Sequence, residues 1–95
     1  MKILKVSARS VPNAVAGAIA AIIREKESIE VQTVGAGAAN QALKAIAISR
    51  GYLAPLGIDI VCAPAFMNVV LDEKSITGIK IVVEPRDDKT WFRNK

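Results

Sequence analysis

Histidine is absent from this chain, and cysteine, aromatic side chains and long apolar runs are scarce. Histidine is the side chain that most often transfers protons near neutral pH, and it is the commonest metal ligand. Its absence excludes the usual serine nucleophile activated by an imidazole base. Asp59 and Glu84 lie far apart in the sequence, and nothing pairs them as an acid and a base. We therefore expect no enzymatic activity, no cofactor and no metal site.

The single cysteine, Cys62, has no second thiol with which to form an internal disulfide. Its apolar surroundings predict a small residue of the hydrophobic core. Polar side chains interrupt each apolar stretch before it reaches the about 18 residues that a membrane-spanning helix requires. The N-terminal segment also lacks the apolar core and the cleavage site of a secretory signal. We therefore expect a cytoplasmic protein that does not contact a membrane.

The 95 residues suffice for one domain, since chains split into separate cores only beyond roughly 250 residues. Apolar residues make up 52% of the chain and charged residues 23%, so it can bury enough surface to fold without disulfides or metal. The net charge of +4 fits a nucleic-acid partner without requiring one. Residues 1–24 and 35–58 contain basic side chains and no acid, whereas the tail from residue 85 combines four basic side chains with two acidic ones.

The first half of the chain alternates between strand and helix patterns. Residues 2–7 predict a short strand, and from Pro12 the apolar residues follow the spacing of one helix face, with Ser10 as the N-cap. Gly17 inside this helix costs about 1 kcal/mol of helix propensity, which predicts a packing reason for it. Residues 29–34 are rich in β-branched side chains and predict a second strand.

The second helix follows the glycines at residues 35–37 and is apolar on two sides. One side is expected to be buried and carries Ala39, Ala42, Leu43, Ile46 and Ala47. The other side carries Gln41, Ala45, Ile48 and Tyr52. A helix that is apolar on two sides usually packs against something on both. We therefore expect the second side to bind another copy of the chain, with Gly51 as the C-terminal cap of the helix.

The remaining residues predict a β-hairpin and a tail. Residues 58–71 form a long apolar segment that Pro64 breaks, residues 72–75 form a polar tip, and residues 76–84 return with alternating apolar side chains. We expect residues 87–95 to be a flexible tail, whose aromatic pair either stacks on bases, docks on a partner or stays disordered. The resulting order, β-α-β-α-β-β, predicts an α/β fold of the α+β sandwich type.

Two segments carry side chains suited to phosphate. The turn after the first strand combines Lys5 and Arg9 with the hydroxyls of Ser7 and Ser10, and no acid lies nearby. The start of the second helix combines a glycine turn with polar side chains, namely Gly37, Asn40, Gln41 and Lys44. These glycines either hold a phosphate on backbone N–H groups or only permit a tight turn and close packing. The polar side chains either bind nucleic acid or form an ordinary solvated helix face.

The glycine turn does not predict a dinucleotide site. Asn40 stands where the third glycine of the dinucleotide-binding motif belongs, and no acid follows about 20 residues later at the end of a strand.

Three segments resemble the stage V sporulation protein S family of bacteria, namely ILKVSARSVPNAVAGAIA, VQTVGAGAANQALKAIAISRGYLAP and IVVEPR. The resemblance covers residues 1–86 and is most specific in GAGAANQALKA. It implies an Alba-like domain, a mixed sheet with two helices on one face, and the element order read from the residues agrees. Family members are linked to late spore formation and to control of development, so the resemblance implies a regulatory role.

The archaeal chromatin proteins of the Alba group have two adjacent lysines after the first strand. This chain has Ala8 and Arg9 there, so the resemblance implies that one of two phosphate-binding charges is kept, and Asn13 matches. The same group has arginines where this chain has Gly37 and Gln41. The resemblance therefore argues against tight, sequence-independent coating of DNA.

The sequence thus predicts a regulatory protein that binds DNA or RNA through phosphates, as a homodimer or a tetramer. Lys5, Arg9 and Lys44 would hold phosphates, and polar side chains, Asn13 among them, would add hydrogen bonds. One alternative is a non-enzymatic oligomeric scaffold for other proteins, which the doubly apolar helix and the mild charge favour. A weaker alternative is a small enzyme or ligand binder that holds a phosphorylated metabolite at the glycine turn, although we expect no small-molecule substrate.

Overall fold

The computed structural model describes residues 1–86, and its elements follow the predicted order β-α-β-α-β-β. The helices and strands are β1 (Lys2–Val6), α1 (Pro12–Arg24), β2 (Ile29–Thr33), α2 (Ala36–Leu53), β3 (Ile60–Leu71) and β4 (Lys74–Pro85). A short 3-10 turn, Ala54–Leu56, follows α2. The tail predicted for residues 87–95 lies outside the described residues.

The four strands form one mixed sheet in the order β1-β2-β4-β3. β1 runs parallel to β2, whereas β4 is antiparallel to both β2 and β3. One row of the register joins Leu4 to Val31, Val31 to Ile81, and Ile81 to Pro64. The parallel pair requires a crossover connection, and α1 supplies it. The predicted mixed sheet with two helices on one face is confirmed.

The hydrophobic core lies between the helices and one face of the sheet. Ile19 and Ile23 of α1 lie against Ile29, Val31 and Val83 of the sheet, and all five side chains are buried. Burial of each such side chain stabilises the fold by about 1.5 to 3 kcal/mol. Alanines fill much of the space that the helices contribute to this core, namely Ala16, Ala20, Ala42 and Ala45. Because these side chains are short, the two helices lie close together.

The edge strand β3 differs from the sequence prediction in two respects. Pro64 does not break the strand, because β3 pairs with β4 alone within the described sheet and an edge strand tolerates a residue without an N–H. Cys62 is exposed, so its assignment to the core is wrong. It faces the same side as its cross-strand partner Val83, but this outer strand lies beyond the part of the sheet that the helices bury.

Both helices differ from the prediction at their ends. The N-cap of α1 is Val11, with no side-chain cap among the described residues, so the N-cap assigned to Ser10 is wrong. Helix α2 continues through Gly51 to Leu53. Gly17 has no described atom within 4 Å of the position that a Cβ would occupy, so the packing reason predicted for it is not found within residues 1–86. Neither helix in this part of the chain is long and apolar enough to cross a membrane.

Candidate nucleic-acid interface

The turn between β1 and α1 is closed by its own hydrogen bonds. The Ser7 N–H donates to Ser10 Oγ at 2.9 Å, and the Ser10 N–H donates to the Ser7 carbonyl at 3.1 Å. The Arg9 N–H donates to Ser7 Oγ at 3.2 Å. Serine hydroxyls that accept nearby backbone N–H groups stabilise such turns. The exposed side chain of Arg9 therefore extends from a backbone whose shape is fixed, and the two serines have a structural task.

The first half of α2 supports this turn directly. Gln41 Nε2 donates to the Ser10 carbonyl at 2.9 Å, although the two residues are 31 positions apart in the chain. A Cβ placed at Gly37 would lie 3.0 Å from the Cβ of Ala8. The two segments identified from the sequence therefore adjoin. The contact at Gly37 is the close packing that we gave above as one of two reasons for a glycine at this position.

Three basic side chains around this junction are available to a ligand. Lys5 at the end of β1, Arg9 in the turn and Lys44 on α2 are exposed. The ion pairs found within residues 1–86 involve none of the three. Both segments that supply them, residues 1–24 and 35–58, contain no acid. None of the three is therefore held by an acid in an ion pair among the described residues, which leaves their positive charge available to a phosphate backbone.

The polar residues of the prediction occupy different environments. Asn13 lies in the first turn of α1 and Asn40 in the second turn of α2, and both are exposed. Asn40 and Lys44 are four residues apart, so they lie on the same side of α2. Gln41 is half-buried, and its amide group is engaged by the turn. The exposed asparagines can bind a ligand directly, whereas Gln41 acts on the turn.

Arg50, at the far end of α2, belongs to a separate cluster. Its Nη2 lies 3.3 Å from Asp59 Oδ1, and Arg86 Nη1 lies 2.8 Å from Asp59 Oδ2. The Arg86 N–H also donates to the Asp59 carbonyl at 2.9 Å. Asp59 therefore ties the end of α2 to the end of β4, and Arg50 is not part of the basic surface around the turn.

The residues predicted for an oligomer interface do not form one exposed face. Ala45 has no exposed area, because it lies in the hydrophobic core, so it is not available to a partner. Ile48 is half-buried and packs against the core. Tyr52 is 48% exposed, as is expected of a contact residue. Leu43 is 54% exposed, so its assignment to the buried side of α2 is wrong.

The largest exposed apolar side chain within residues 1–86 lies on β3. Phe66 is 80% exposed, and Pro64 beside it is also exposed. Phe66 faces the helix side of the sheet, as its cross-strand partner Ile79 does, and both line a groove of about 310 Å³ with Ala36 and Ala39 of α2. Sequence reasoning missed this surface, although a proline inside a long apolar segment is the usual mark of an edge strand.

Comparison with known proteins agrees with this architecture. Residues 2–86 match the family model described as stage V sporulation protein S. Among solved structures, the chain is similar to Alba from Thermoplasma volcanium, with 13% sequence identity and a TM-score of 0.61. That alignment covers 87% of this chain and 99% of the archaeal chain. At this identity the similarity shows the fold alone, and it confirms the predicted Alba-like fold. Because the family match spans nearly all of the described residues, this chain belongs to the stage V sporulation protein S family.

Proposed function

We propose that this protein is a non-enzymatic regulator that binds nucleic acid through phosphate contacts at the junction of the Ser7–Ser10 turn and α2. The observation that carries the proposal is the set of exposed, unneutralised charges of Lys5, Arg9 and Lys44 around a turn of fixed shape. Neither segment that forms the junction contains an acid. This surface favours a polyanion over a neutral or a basic partner.

Arg9 has the central role in this proposal. A guanidinium group presents several N–H donors in a plane and can bind two oxygens of one phosphate at once. The hydrogen-bonded turn and the bond from Gln41 hold the backbone of Arg9 before any ligand arrives. Less conformational entropy is then lost on binding. Lys5 and Lys44 would add point charges on either side, and Asn13 and Asn40 would add neutral hydrogen bonds.

We further propose that the protein acts as a dimer or a higher oligomer. A single turn with three basic side chains offers few phosphate contacts, and a second copy would double their number on one strand of nucleic acid. The exposed apolar side chains of Leu43, Pro64 and Phe66 support an interface on α2 and β3. This proposed interface excludes Ala45 and Ile48, which the sequence analysis included, but it still involves α2.

A fluorescence-anisotropy titration tests the nucleic-acid proposal. Labelled duplex DNA, single-stranded DNA and RNA would be titrated with the protein between about 50 and 200 mM salt. We expect the double variant Arg9→Ala/Lys44→Ala to bind about tenfold or more weakly in every case. We also expect its log–log salt dependence to be shallower by about two, since each lost phosphate contact removes about one unit of slope.

The matched control is the double variant Lys2→Ala/Arg24→Ala. It removes the same charge from exposed residues at the start of β1 and in the last turn of α1, away from the junction. An equal loss of affinity in both double variants would show that net charge alone attracts nucleic acid, and the proposed site would be wrong. Failure of the unaltered protein to bind any of the three ligands at low salt would favour the oligomeric scaffold instead.

A further inference from the structure

The face of the sheet opposite the helices contains a depression of about 270 Å³. It lies where β1 and β2 end and the β3–β4 hairpin continues beyond them. Its lining includes Lys5 and Ser7 on one side, Gln32 and Val34 in the middle, and Met67 and Val69 on the other side. Lys5 and Ser7 also belong to the basic junction, which is the surface formed by Lys5, the Ser7–Ser10 turn and the start of α2. The depression therefore adjoins the surface proposed to hold phosphates.

A glycine in β4 brings the two sides of the depression together. Gly78 pairs with Met67 across the hairpin, and it is buried. A Cβ at Gly78 would collide with the Thr33 carbonyl oxygen and would lie 3.2 Å from Cγ2 of Val34 and 3.4 Å from Cγ of Met67. Without a side chain there, the end of β2 approaches the hairpin closely. Val34 and Met67 therefore form apolar walls that are near each other.

The polar groups of the depression suit a flat ring with donors and acceptors. Gln32 Nε2 donates to Glu30 Oε2 at 2.7 Å, which orients the amide group and leaves its oxygen as an acceptor. Lys5, the cross-strand partner of Gln32, contributes a charged donor. The Thr33 hydroxyl is already engaged, since it donates to the Ile79 carbonyl at 2.9 Å. No carboxylate among the described residues lines the depression.

We infer that this depression, the base pocket, holds one unpaired nucleobase of a single-stranded nucleic acid. The base would lie with one face against Val34 and Met67 and would direct its edge at Gln32 and Lys5, while its neighbouring phosphates would lie along the Arg9 turn. The volume is just below the range of about 300 to 1,000 Å³ that is typical of pockets for drug-sized ligands, and it suits a single ring system. Bases of an intact duplex are stacked and paired, so only an unpaired base can enter.

This inference rests on the proposed function and adds to it a preference for single strands, RNA or DNA, over a duplex. Base stacking against apolar side chains supplies affinity without a sequence requirement, and the edge of the base supplies any preference. The phosphate surface alone would bind duplex and single strand alike. The base pocket adds binding free energy that only a single strand can gain.

Binding measurements with pocket variants test the inference. Single-stranded DNA, single-stranded RNA and duplex DNA of equal length would be titrated with the unaltered protein and with Gln32→Leu and Met67→Ala. We expect each substitution to weaken single-strand binding about tenfold and to leave duplex binding unchanged, because Gln32→Leu removes a hydrogen bond to the edge of the base and Met67→Ala removes apolar contact with its face. The control Val61→Ala shortens an apolar side chain at the other end of β3, on the same sheet face, and we expect no change.

A second measurement locates the base directly. The chain has only two methionines, Met1 and Met67, so ¹³C-methyl labelling of methionine gives a spectrum in which Met67 can be followed. We expect a single-stranded oligonucleotide to shift the Met67 methyl signal and a duplex to leave it in place. Binding by anisotropy without movement of Met67 would overturn the base pocket and keep the phosphate surface. Absence of binding to every nucleic acid would overturn the proposed function, and the pocket with it.

Discussion

At the scale of single residues, the side chain of Gln41 supports the proposed binding surface from within the protein. Its amide N–H reaches the Ser10 carbonyl and holds the turn that carries Arg9. The periodicity of α2 places Gln41 beside Asn40 and Lys44, but the partner of its amide lies in a segment 31 residues away. Its role was therefore not predictable from the pattern of α2 alone.

We expect Gln41→Met to loosen the turn while the rest of the domain stays folded. Methionine has a similar length but no N–H, so the Ser10 carbonyl loses its donor and the free energy of unfolding falls by about 1 kcal/mol. Hydrogen exchange of the backbone amides at residues 7–11 should become faster. The control Asn40→Met alters an exposed neighbour on the same helix and should leave that exchange unchanged. Equal exchange in the two variants would contradict the role given to Gln41.

Two glycines predict opposite responses to the same substitution. Gly17 is exposed in the middle of α1 with open space around it, so Gly17→Ala should raise the free energy of unfolding by about 0.5 to 1 kcal/mol. At Gly78 a Cβ would collide with the Thr33 carbonyl oxygen, so Gly78→Ala should lower the free energy of unfolding. Urea denaturation of both variants measures these changes. A loss of stability in Gly17→Ala would show that something packs on that face of α1.

At the scale of the element, the β3–β4 hairpin is the least conventional part of the fold. Its strands are joined by two residues, Asp72 and Glu73, with φ of 51° and 64°. Positive φ at both central residues is the mark of a type I′ turn, which favours Asn-Gly or Asp-Gly. Glutamate is a poor residue for this conformation, so the turn is strained at Glu73.

Replacement of the two turn residues by asparagine and glycine should therefore stabilise the hairpin. We expect Asp72→Asn/Glu73→Gly to raise the free energy of unfolding by about 1 kcal/mol, because glycine adopts a positive φ without steric cost. The double variant Asp72→Asn/Glu73→Gln removes the same two charges without adding glycine, and thermal unfolding of both separates the two effects. A gain of equal size in the control would assign the effect to charge rather than to backbone strain.

The elements were predictable from the sequence because helix and strand impose different periods on apolar residues. Their burial was less predictable. The alternation in β3 shows which side chains share a face, but Cys62 is exposed because β3 lies at the edge of the sheet, which the order of strand pairing decides. The burial of Ala45 was not predictable either, since the side of α2 that enters the core depends on how α1 and α2 pack. No local sequence pattern predicts the base pocket, because it depends on the close approach of β2 to Gly78.

At the scale of the whole molecule, the charged and the apolar surfaces meet at α2. Arg9 lies beside this helix and Lys44 lies on it, and the groove beside Phe66 of β3 is lined by Ala36 and Ala39 of the same helix. The proposed oligomer interface therefore adjoins the proposed phosphate surface. Exposed apolar patches rimmed by polar residues commonly mark protein interfaces.

We expect Phe66→Asp to dissociate the proposed oligomer, because a carboxylate buried at an apolar interface would lose its hydration without a partner. Analytical ultracentrifugation should show a smaller species than for the unaltered protein. The control Ile3→Asp adds the same charge at an exposed residue of β1, on the face of the sheet without helices, and should not change the mass. A smaller species in both variants would contradict the interface at Phe66.

The single thiol gives an independent measure of the same interface. Cys62 is exposed in the isolated chain and shares a strand face with Phe66, so its rate of labelling should be lower in the oligomer than in Phe66→Asp. Equal rates would place the contact away from β3.

The proline in β3 also bears on how copies of this chain meet. An edge strand is a template for backbone pairing with another chain, and unlimited pairing of this kind leads to fibrils. Pro64 stands near the middle of the edge and offers no N–H to an incoming strand. A second copy that docks beside Phe66 therefore meets an edge with one backbone donor missing, which disfavours continuous strand pairing and favours contact through side chains. At this edge of the four-stranded sheet, the fold favours a finite assembly over a growing fibril.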